Sequence, residues 1–179
     1  MKQPGAIVQI DDKPTNPLRA HAVSIKKAEF GSKELTSMIL VMEQALAKEE
    51  DGVALAAPQL GISKRLFVVS PSAYEENAKW KPLVFINPTI TKASKKMEER
   101  QEGCLSVRWM YGKTKRHTSL TVEAYDVQGN KFSFGATGLM AHIFQHEIDH
   151  LDGILFIDHG YDLEEYTEEE VKSMMKTKK

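Results

Sequence analysis

Apolar residues recur along the chain at two spacings, which together predict a mixture of helices and strands. Over residues 34–49 they return every three or four positions, and Ser32 stands where an N-cap is expected, so a helix ended by Gly52 is predicted. The same spacing over 139–151 predicts a second helix. Residues 166–179 are acidic first and basic last, the charge order that suits the dipole of a terminal helix.

Short segments rich in valine, isoleucine and phenylalanine predict strands at 6–10, 65–70 and 83–91. Alternation at 120–124 and 132–134, on either side of a Gln-Gly-Asn sequence, predicts a hairpin. Two polar stretches, 71–81 and 94–101, are expected to be a surface loop and a solvated charged run. Without an internal repeat or an interdomain linker, this order predicts a single α+β domain over 1–179, in which 161–179 is a terminal helix or tail.

Composition narrows the class of protein. The 179 residues include 24 basic and 25 acidic side chains and carry a formal net charge of −1, so no basic excess indicates nucleic-acid binding. No apolar run is long enough to span a membrane, and residues 1–5 show no signal or transit pattern. We therefore expect a cytoplasmic protein in a reducing compartment, where a cysteine stays available as a thiolate.

The strongest chemical signal is the sequence His146-Glu147-Ile148-Asp149-His150. Residues four apart share one face of a helix, with Cβ atoms about 6 Å apart, so the two imidazoles can hold one metal ion. Glu147 lies beside them as a candidate general base, as in metal-dependent hydrolases. The alternative is that these are ordinary surface residues of a helix, since a pattern of five residues also occurs by chance.

A catalytic metal site uses three protein ligands and leaves one position open, so a third ligand is needed. Downstream, Phe156 occupies the place where one class of metalloprotease has a histidine, and the acidic run 164–168 is typical of a solvated helix start. Upstream, Cys104 is the only cysteine, which excludes an intramolecular disulfide, and Gly103 before it permits close backbone approach. Cys104 is therefore the better candidate, although many free cysteines are simply small buried hydrophobes.

A third segment, 52–61, is small and apolar and has Gln59 as its one polar side chain. Small residues let a substrate backbone come close, and an amide NH₂ group can bind a developing oxyanion. The same segment could equally be a tight turn packed on a helix.

Together the three segments resemble the peptide deformylase family. Its motifs G-x-G-x-A-A-x-Q, E-G-C-x-S and Q-H-E-x-D-H correspond, in that order, to Gly52 to Gln59, Glu102 to Ser106 and Gln145 to His150. Further similarity at 16–19, 85–88, 138–141 and 155–158 extends the resemblance to about residue 160. The resemblance implies short antiparallel sheets packed around a central metal-binding helix.

The resemblance also implies a function, the metal-dependent removal of the formyl group from the N-terminal formyl-methionine of nascent polypeptides. Under it, Cys104, His146 and His150 bind the metal, and Glu147 acts as general base and then acid. The remaining catalytic groups are the Gln59 amide and the Leu105 backbone N–H, which stabilise the oxyanion. One divalent ion is expected, Fe²⁺ in the cell, whereas Zn²⁺, Ni²⁺ or Co²⁺ could be present in a purified sample.

The substrate is then expected to bind as an extended peptide, by β-augmentation. The residues implied to bind it are Val53, Ala54, Gly103, His142 and Ile143. The methionine side chain is implied to lie near Val53, His142, Ile143 and His146. A supporting ion pair between Glu102 and Arg116 is a weaker implication. The expected partners are formyl-methionyl nascent peptides, with the C-terminal tail as a candidate contact to the ribosome and with neither nucleic-acid readout nor membrane contact.

Four residues depart from the family pattern: Ala54 replaces the second glycine of the first motif, Arg108 a common proline, and Arg100 and His142 residues that are commonly apolar. We expect Ala54 to crowd the substrate strand and the two polar side chains to weaken binding of methionine. The alternatives are that these residues fit a different first residue of the substrate, or that Arg100 and His142 turn outward to solvent. Two other functions stay open. A protease that cleaves internal bonds would need a different third ligand, and a silent relative would bind N-termini without turnover.

Overall fold

The structure, a computed structural model, describes residues 5–12, 17–73 and 83–177. Within these ranges the chain forms three α-helices and eight strands, together with short 3₁₀ turns. In chain order they are α1 (Lys33–Leu46), β1 (Ala54–Ala56), β2 (Leu66–Val69), β3 (Leu83–Ala93), β4 (Met97–Cys104), β5 (Val107–His117), β6 (Ser119–Tyr125), β7 (Lys131–Thr137), α2 (Gly138–Leu151), β8 (Tyr161–Glu165) and α3 (Glu168–Thr177). No helix in these ranges is both long and apolar enough to cross a membrane.

The strands form two antiparallel sheets. The larger sheet has the order β1-β2-β3-β6-β7 and the smaller the order β4-β5-β8. The predicted α+β fold with short antiparallel sheets is confirmed. The hairpin predicted around residues 120–134 is the β6–β7 pair, joined from Ser119↔Thr137 to Tyr125↔Lys131.

The larger sheet is covered on both faces, which explains why β2 is buried along its whole length. Phe67 and Val69 point toward α2, whereas Leu66 and Val68 point toward α1. Phe144 fixes α2 on this sheet, because its ring centroid lies 5.6 Å from that of Phe67 and 4.7 Å from that of Phe85. The central helix is thereby held in one position just before it reaches His146.

The first predicted helix is confirmed at its start and shorter at its end. The Leu35 N–H donates to the Ser32 hydroxyl at 3.1 Å, so Ser32 is the N-cap. The helix ends at Leu46, before the predicted 49. The chain then turns back at Gly52, where a Cβ atom would lie 2.9 Å from the Leu46 side chain, so only glycine fits this approach.

The strand predicted at 6–10 is wrong. Its backbone is irregular, because its N–H groups bond to two separate loops and not to a neighbouring strand. The Val8 N–H donates to the Gln59 carbonyl at 2.8 Å, and the Ile10 N–H donates to the Ser106 carbonyl at 2.9 Å. The segment therefore ties together two loops that carry candidate site residues.

Three further expectations need correction. The charged run 94–101 enters β4, where alternate residues turn inward. The tail 161–179 begins with β8, so helix α3 starts only at Glu168. The loop 71–81 begins as a 3₁₀ turn at Pro71–Ala73, and its remainder, like Asn16 of the segment 16–19, lies outside the described residues. The strand predicted at 83–91 is confirmed as β3, which continues through a bulge to Ala93.

Candidate active site

A cavity of about 240 Å³ lies between α2, the segment 52–54 and the β4–β5 pair. The residues that sequence reasoning proposed for the site come together there. Its lining includes Val53, Ala54, Gln59, Gly103, Cys104, Leu105, His142, Ile143, His146 and Glu147. His150 lies beside the cavity wall, with its Nε2 atom 3.2 Å from the Cys104 sulfur.

Cys104, His146 and His150 form a compact donor set. One ligand atom from each residue can be chosen such that all three lie within 4.8 Å of one another. The helix supplies both histidines on one face, with ring centroids 4.8 Å apart, and the end of β4 supplies the thiol. One sulfur and two imidazole nitrogens suit a divalent transition metal, so these residues fit the ion that the sequence implies.

Glu102 orients His146 from behind. Its Oε1 atom lies 2.5 Å from His146 Nδ1, so the opposite ring nitrogen, Nε2, is left for a metal. Arg116 binds the same carboxylate at 2.7 and 3.1 Å, which confirms the Glu102–Arg116 pair and places it in the interior. Burial raises the pKa of the Glu102 carboxyl, but close contacts with His142, His146 and Arg116 outweigh this effect, so its pKa lies well below the ordinary value. Glu102 is therefore a fixed anion.

Glu147 faces the cavity, and its pKa is shifted in the opposite direction from that of Glu102. Its side chain is 3% exposed, and its Oε2 atom has no hydrogen-bond partner among the described residues. Burial raises the pKa of Glu147 to about 7, although the neighbouring His146 lowers it. A carboxyl with a pKa in this range can both accept and return a proton near neutral pH.

Gln59 is held so that its NH₂ group points toward the candidate ligands. The Ala56 N–H donates to Gln59 Oε1 at 2.8 Å, which assigns the amide orientation. The Nε2 atom then lies 3.6 Å from the Cys104 sulfur and 3.3 Å from the Ser106 hydroxyl. The side chain is 1% exposed, so this donor is fixed before any substrate binds.

The segment 103–105 forms the opposite wall. Gly103 pairs with Tyr111, and a Cβ atom at Gly103 would lie 2.5 Å from the Tyr111 ring, so a side chain is excluded here. The Leu105 carbonyl accepts a hydrogen bond from the Gln9 amide at 3.0 Å, which anchors the peptide unit at the end of this segment. The backbone beside Cys104 is thus open to the cavity and held in place.

Of the residues that depart from the family pattern, some line the cavity and Arg100 does not. Arg100 does not line the cavity: it pairs with Glu98 at 2.7 Å, and its side chain is 39% exposed, so the expectation that it lies near the methionine pocket is wrong. His142 is buried and lines the cavity, so it does not turn outward. Ala54 lines the cavity too, but it is 6% exposed and belongs to the same buried apolar cluster as Ile143, so we expect its methyl group to pack in the core and not to crowd a substrate strand.

Sequence reasoning missed a group of charges at the cavity mouth. Arg108 reaches across to Asp51 at 3.1 Å and also pairs with Glu49, so it links β5 to the segment after α1. Its guanidinium lies 5.0 Å from the centre of the Trp109 ring, and Trp109 has a positive φ of 60°. Arg108 stood out in the sequence only as a departure from proline, and its partners lie more than fifty residues away.

Phe156, at the downstream position where one class of metalloprotease has its third ligand, packs in the protein interior. Phe156 is 1% exposed, and its ring lies 6.5 Å from that of His146. This arrangement favours the sulfur of Cys104 over a downstream ligand.

Replacing Ala54 with glycine tests the crowding expectation. Because the methyl group packs in the core, we expect Ala54→Gly to lower the free energy of unfolding by about 1–2 kcal/mol, from lost burial and added chain entropy. We expect no rise in kcat/KM on formyl-methionyl peptides. Thermal unfolding and formate release measured on the same preparations check both statements, and an increased kcat/KM would restore the crowding interpretation.

These features define a metal-dependent hydrolase of small α+β fold: a helix that carries His-Glu-x-x-His, a thiol close to it and a buried carboxyl. Residues 5–166 match the family model described as polypeptide deformylase. A peptide deformylase of Desulforudis audaxviator is 37% identical over 86% of this chain and 93% of its own length, and one of Thermodesulfovibrio yellowstonii is 40% identical over 86% and 88%. The crystal structure of a class I type b peptide deformylase from Acinetobacter baumannii bound to Met-Ala-Ser superposes with a TM-score of 0.75 at 31% identity, covering 86% of this chain and 96% of the other.

The chain therefore belongs to the peptide deformylase family. It is a hydrolase that removes the formyl group from nascent peptides beginning with formyl-methionine, and the reaction is metal-dependent.

Proposed function

We propose that Cys104, His146 and His150 hold one divalent ion at the inner end of the cavity and that deformylation takes place beside it. The observation that carries this assignment is the convergence of the three ligand atoms within 4.8 Å, next to a buried carboxyl whose Oε2 atom has no hydrogen-bond partner among the described residues. When bound, the ion supplies a Lewis acid that polarises a carbonyl and lowers the pKa of water.

The substrate is proposed to bind as an added strand. β1 is an edge strand of the larger sheet, and the cavity separates its segment from Gly103. A peptide that lies between Val53–Ala54 and Gly103 can bond to backbone on both sides, which gives affinity that depends little on later side chains. The related enzyme that binds Met-Ala-Ser supports a short peptide as the occupant of such a cavity.

Glu147 is proposed to move the proton. Its free Oε2 atom accepts a proton from the attacking water as the water oxygen bonds to the formyl carbon. The same carboxyl returns that proton to the amine nitrogen as the carbon–nitrogen bond breaks. Formate and a peptide with a free amino group are the products.

Gln59 and Leu105 are proposed to stabilise the charge that develops on the formyl oxygen. The Gln59 NH₂ group is fixed toward Cys104, and Gln9 anchors the Leu105 carbonyl, which lies in the peptide unit after the one that carries the Leu105 N–H. Donors that are held in place before the reaction need no reorganisation when the charge appears.

The identity of the ion and the cellular setting are further proposals. A donor set of one sulfur and two nitrogens admits Zn²⁺, Fe²⁺, Co²⁺ and Ni²⁺, and we propose Fe²⁺ in the cell. Because the substrate is a nascent chain, we also propose a cytoplasmic location and a contact between the C-terminal helix α3 and the ribosome.

Release of formate from formyl-Met-Ala-Ser by protein loaded with Fe²⁺ or Ni²⁺ tests the proposed function. Acetyl-Met-Ala-Ser is the matched control, because it keeps the peptide and replaces the formyl group. We expect release from the formyl peptide alone. Equal cleavage of both peptides, or cleavage within the peptide, would indicate a different hydrolase.

Gln59→Ala tests the oxyanion assignment separately. Loss of one such donor costs about 2.7–4 kcal/mol in the transition state, so we expect kcat to fall by about 10²–10³. KM should change much less, because the oxyanion exists only after attack. Steady-state kinetics on formyl-Met-Ala-Ser check this, and an effect confined to KM would show that Gln59 positions the substrate instead.

A further inference from the structure

Three charged side chains join the two walls of the proposed peptide-binding groove at its mouth. The Arg108 guanidinium, on β5, donates to both carboxylate oxygens of Asp51 at 3.1 and 3.3 Å and also to the Glu49 carboxylate. Arg108 and Asp51 line the cavity, and the side chains of Arg108, Glu49 and Asp51 are 23%, 26% and 27% exposed. These three side chains, the Arg108 link, therefore connect β5 with the segment that leads into Val53–Ala54.

The geometry of the Arg108 link favours a fixed distance between the two walls. A guanidinium is planar and presents its donors in a rigid fork, which suits the simultaneous binding of two carboxylates. Most exposed ion pairs contribute little to stability, but partly buried charges that form a network are an exception. The walls are also close together beside the link, since a Cβ atom at Gly52 would lie 3.3 Å from the Leu105 side chain.

The first wall is tied to the carboxylate side of the link by backbone hydrogen bonds. The Gly52 N–H donates to the Glu49 carbonyl at 3.1 Å, and the Val53 carbonyl accepts a hydrogen bond from the Ser70 N–H at 2.8 Å. Asp51 is thus part of a short, tightly bonded turn. A shift of Asp51 would therefore be passed directly to the backbone that is proposed to pair with the substrate.

The second wall holds the guanidinium side of the link through Trp109. The φ of Trp109 is 60°, which is unfavourable for a bulky side chain and persists only where the surrounding contacts enforce it. Here the Arg108 guanidinium lies 5.0 Å from the centre of the Trp109 ring, and the Trp109 carbonyl accepts a hydrogen bond from the Tyr166 N–H at 3.0 Å. The backbone next to Arg108 is therefore held by contacts of its own.

We propose that Arg108 is a positioning residue, which sets the separation of the groove walls and thereby the affinity for the part of the peptide that follows the formyl-methionine. The inference rests on the proposed function, because it requires the peptide backbone to pair with Val53–Ala54 and with Gly103. A strand that pairs on both sides needs neighbours about 9–10 Å apart, and its hydrogen bonds weaken when that separation changes. An ion pair with only a structural role would change stability and not peptide affinity.

Arg108→Gln tests the proposal with two substrates of different length. Formyl-Met-Ala-Ser extends along both walls, whereas formyl-methioninamide ends after the first residue. We expect KM for formyl-Met-Ala-Ser, and Kd for the product Met-Ala-Ser measured by calorimetry, to rise about tenfold, as for the loss of one or two backbone hydrogen bonds. KM for formyl-methioninamide and kcat for both substrates should change much less, because the metal ligands are untouched.

Variants of the opposite wall and of a distant ion pair provide the controls. Glu49→Gln combined with Asp51→Asn should give the same rise in KM, and adding Arg108→Gln should raise KM no further, because all these changes break one link. Arg65→Gln is the matched control, since Arg65 pairs with Asp152 at 2.5 Å, is 21% exposed and does not line the cavity. It should leave KM for formyl-Met-Ala-Ser unchanged, even where Tm falls.

The proposal would be overturned by an unchanged KM for formyl-Met-Ala-Ser in Arg108→Gln, by an equal rise for formyl-methioninamide, or by an equal rise in Arg65→Gln. Metal content and Tm are measured for every variant, and if Arg108→Gln does not fold, the variant with Glu49→Gln and Asp51→Asn provides the same test. Absence of formate from both formyl substrates with the metal-loaded parent would instead contradict the proposed function. The Kd for Met-Ala-Ser in the same variants would then still decide the role of Arg108.

Discussion

Cys104→Ala is expected to lose both the bound metal and formate release. Three protein ligands leave no spare donor, and the described residues contain no other group of three histidine, cysteine or acidic ligands that converge like this. Metal content by plasma mass spectrometry and formate release from formyl-Met-Ala-Ser check the two expectations together. His146→Ala and His150→Ala should give the same result.

The loss should concern the site and not the fold. Cys104 ends β4 and is only partly buried, so removing its sulfur costs little packing. The metal-free forms of Cys104→Ala and of the parent should therefore have similar circular dichroism spectra. His21→Ala is a suitable control, because the His21 side chain is 82% exposed and should retain full metal content. Stoichiometric metal in Cys104→Ala would refute the ligand assignment.

The parts of the fold that could be predicted from sequence are those whose signal is local. Helix α1 and the β6–β7 hairpin follow from periodicity and from their N-cap and turn residues, which lie within a few positions of one another. The residues of the site could be proposed for the same reason, since each motif is short. Cys104 and His146 nevertheless lie far apart in sequence, so only the fold shows that their side chains are close together.

The parts that could not be predicted depend on distant partners. β4 is rich in charge, but Glu102 turns inward because Arg116, fourteen residues later, is there to bind it. β8 is mostly exposed and has no apolar alternation, so only its pairing with β5 makes it a strand. The segment 6–10 is apolar without being a strand, because its backbone bonds go to two loops. In each case a contact with a distant part of the chain determines the local structure, as is usual for strands.

Glu147→Gln is expected to lower kcat about 10²–10⁴-fold or more while the metal stays bound. The substitution keeps the size of the side chain and removes the group that accepts the proton. The carboxyl is buried and its Oε2 atom has no partner among the described residues, so the change breaks no hydrogen bond to that atom. Because the substitution leaves the backbone groups proposed to bind the peptide unchanged, KM should change far less than kcat.

The control for Glu147→Gln is Glu123→Gln, which makes the same chemical change at an exposed carboxylate that pairs with Lys131. It should keep the kcat, metal content and Tm of the parent. Glu147→Asp keeps a carboxyl group but withdraws it by one methylene, so we expect a kcat between those of the parent and Glu147→Gln, because proton transfer depends on reach as well as on pKa. If Glu147→Gln instead turns over at nearly the parent rate with metal bound, the proton is accepted by another group, and Glu147 serves only to line the cavity.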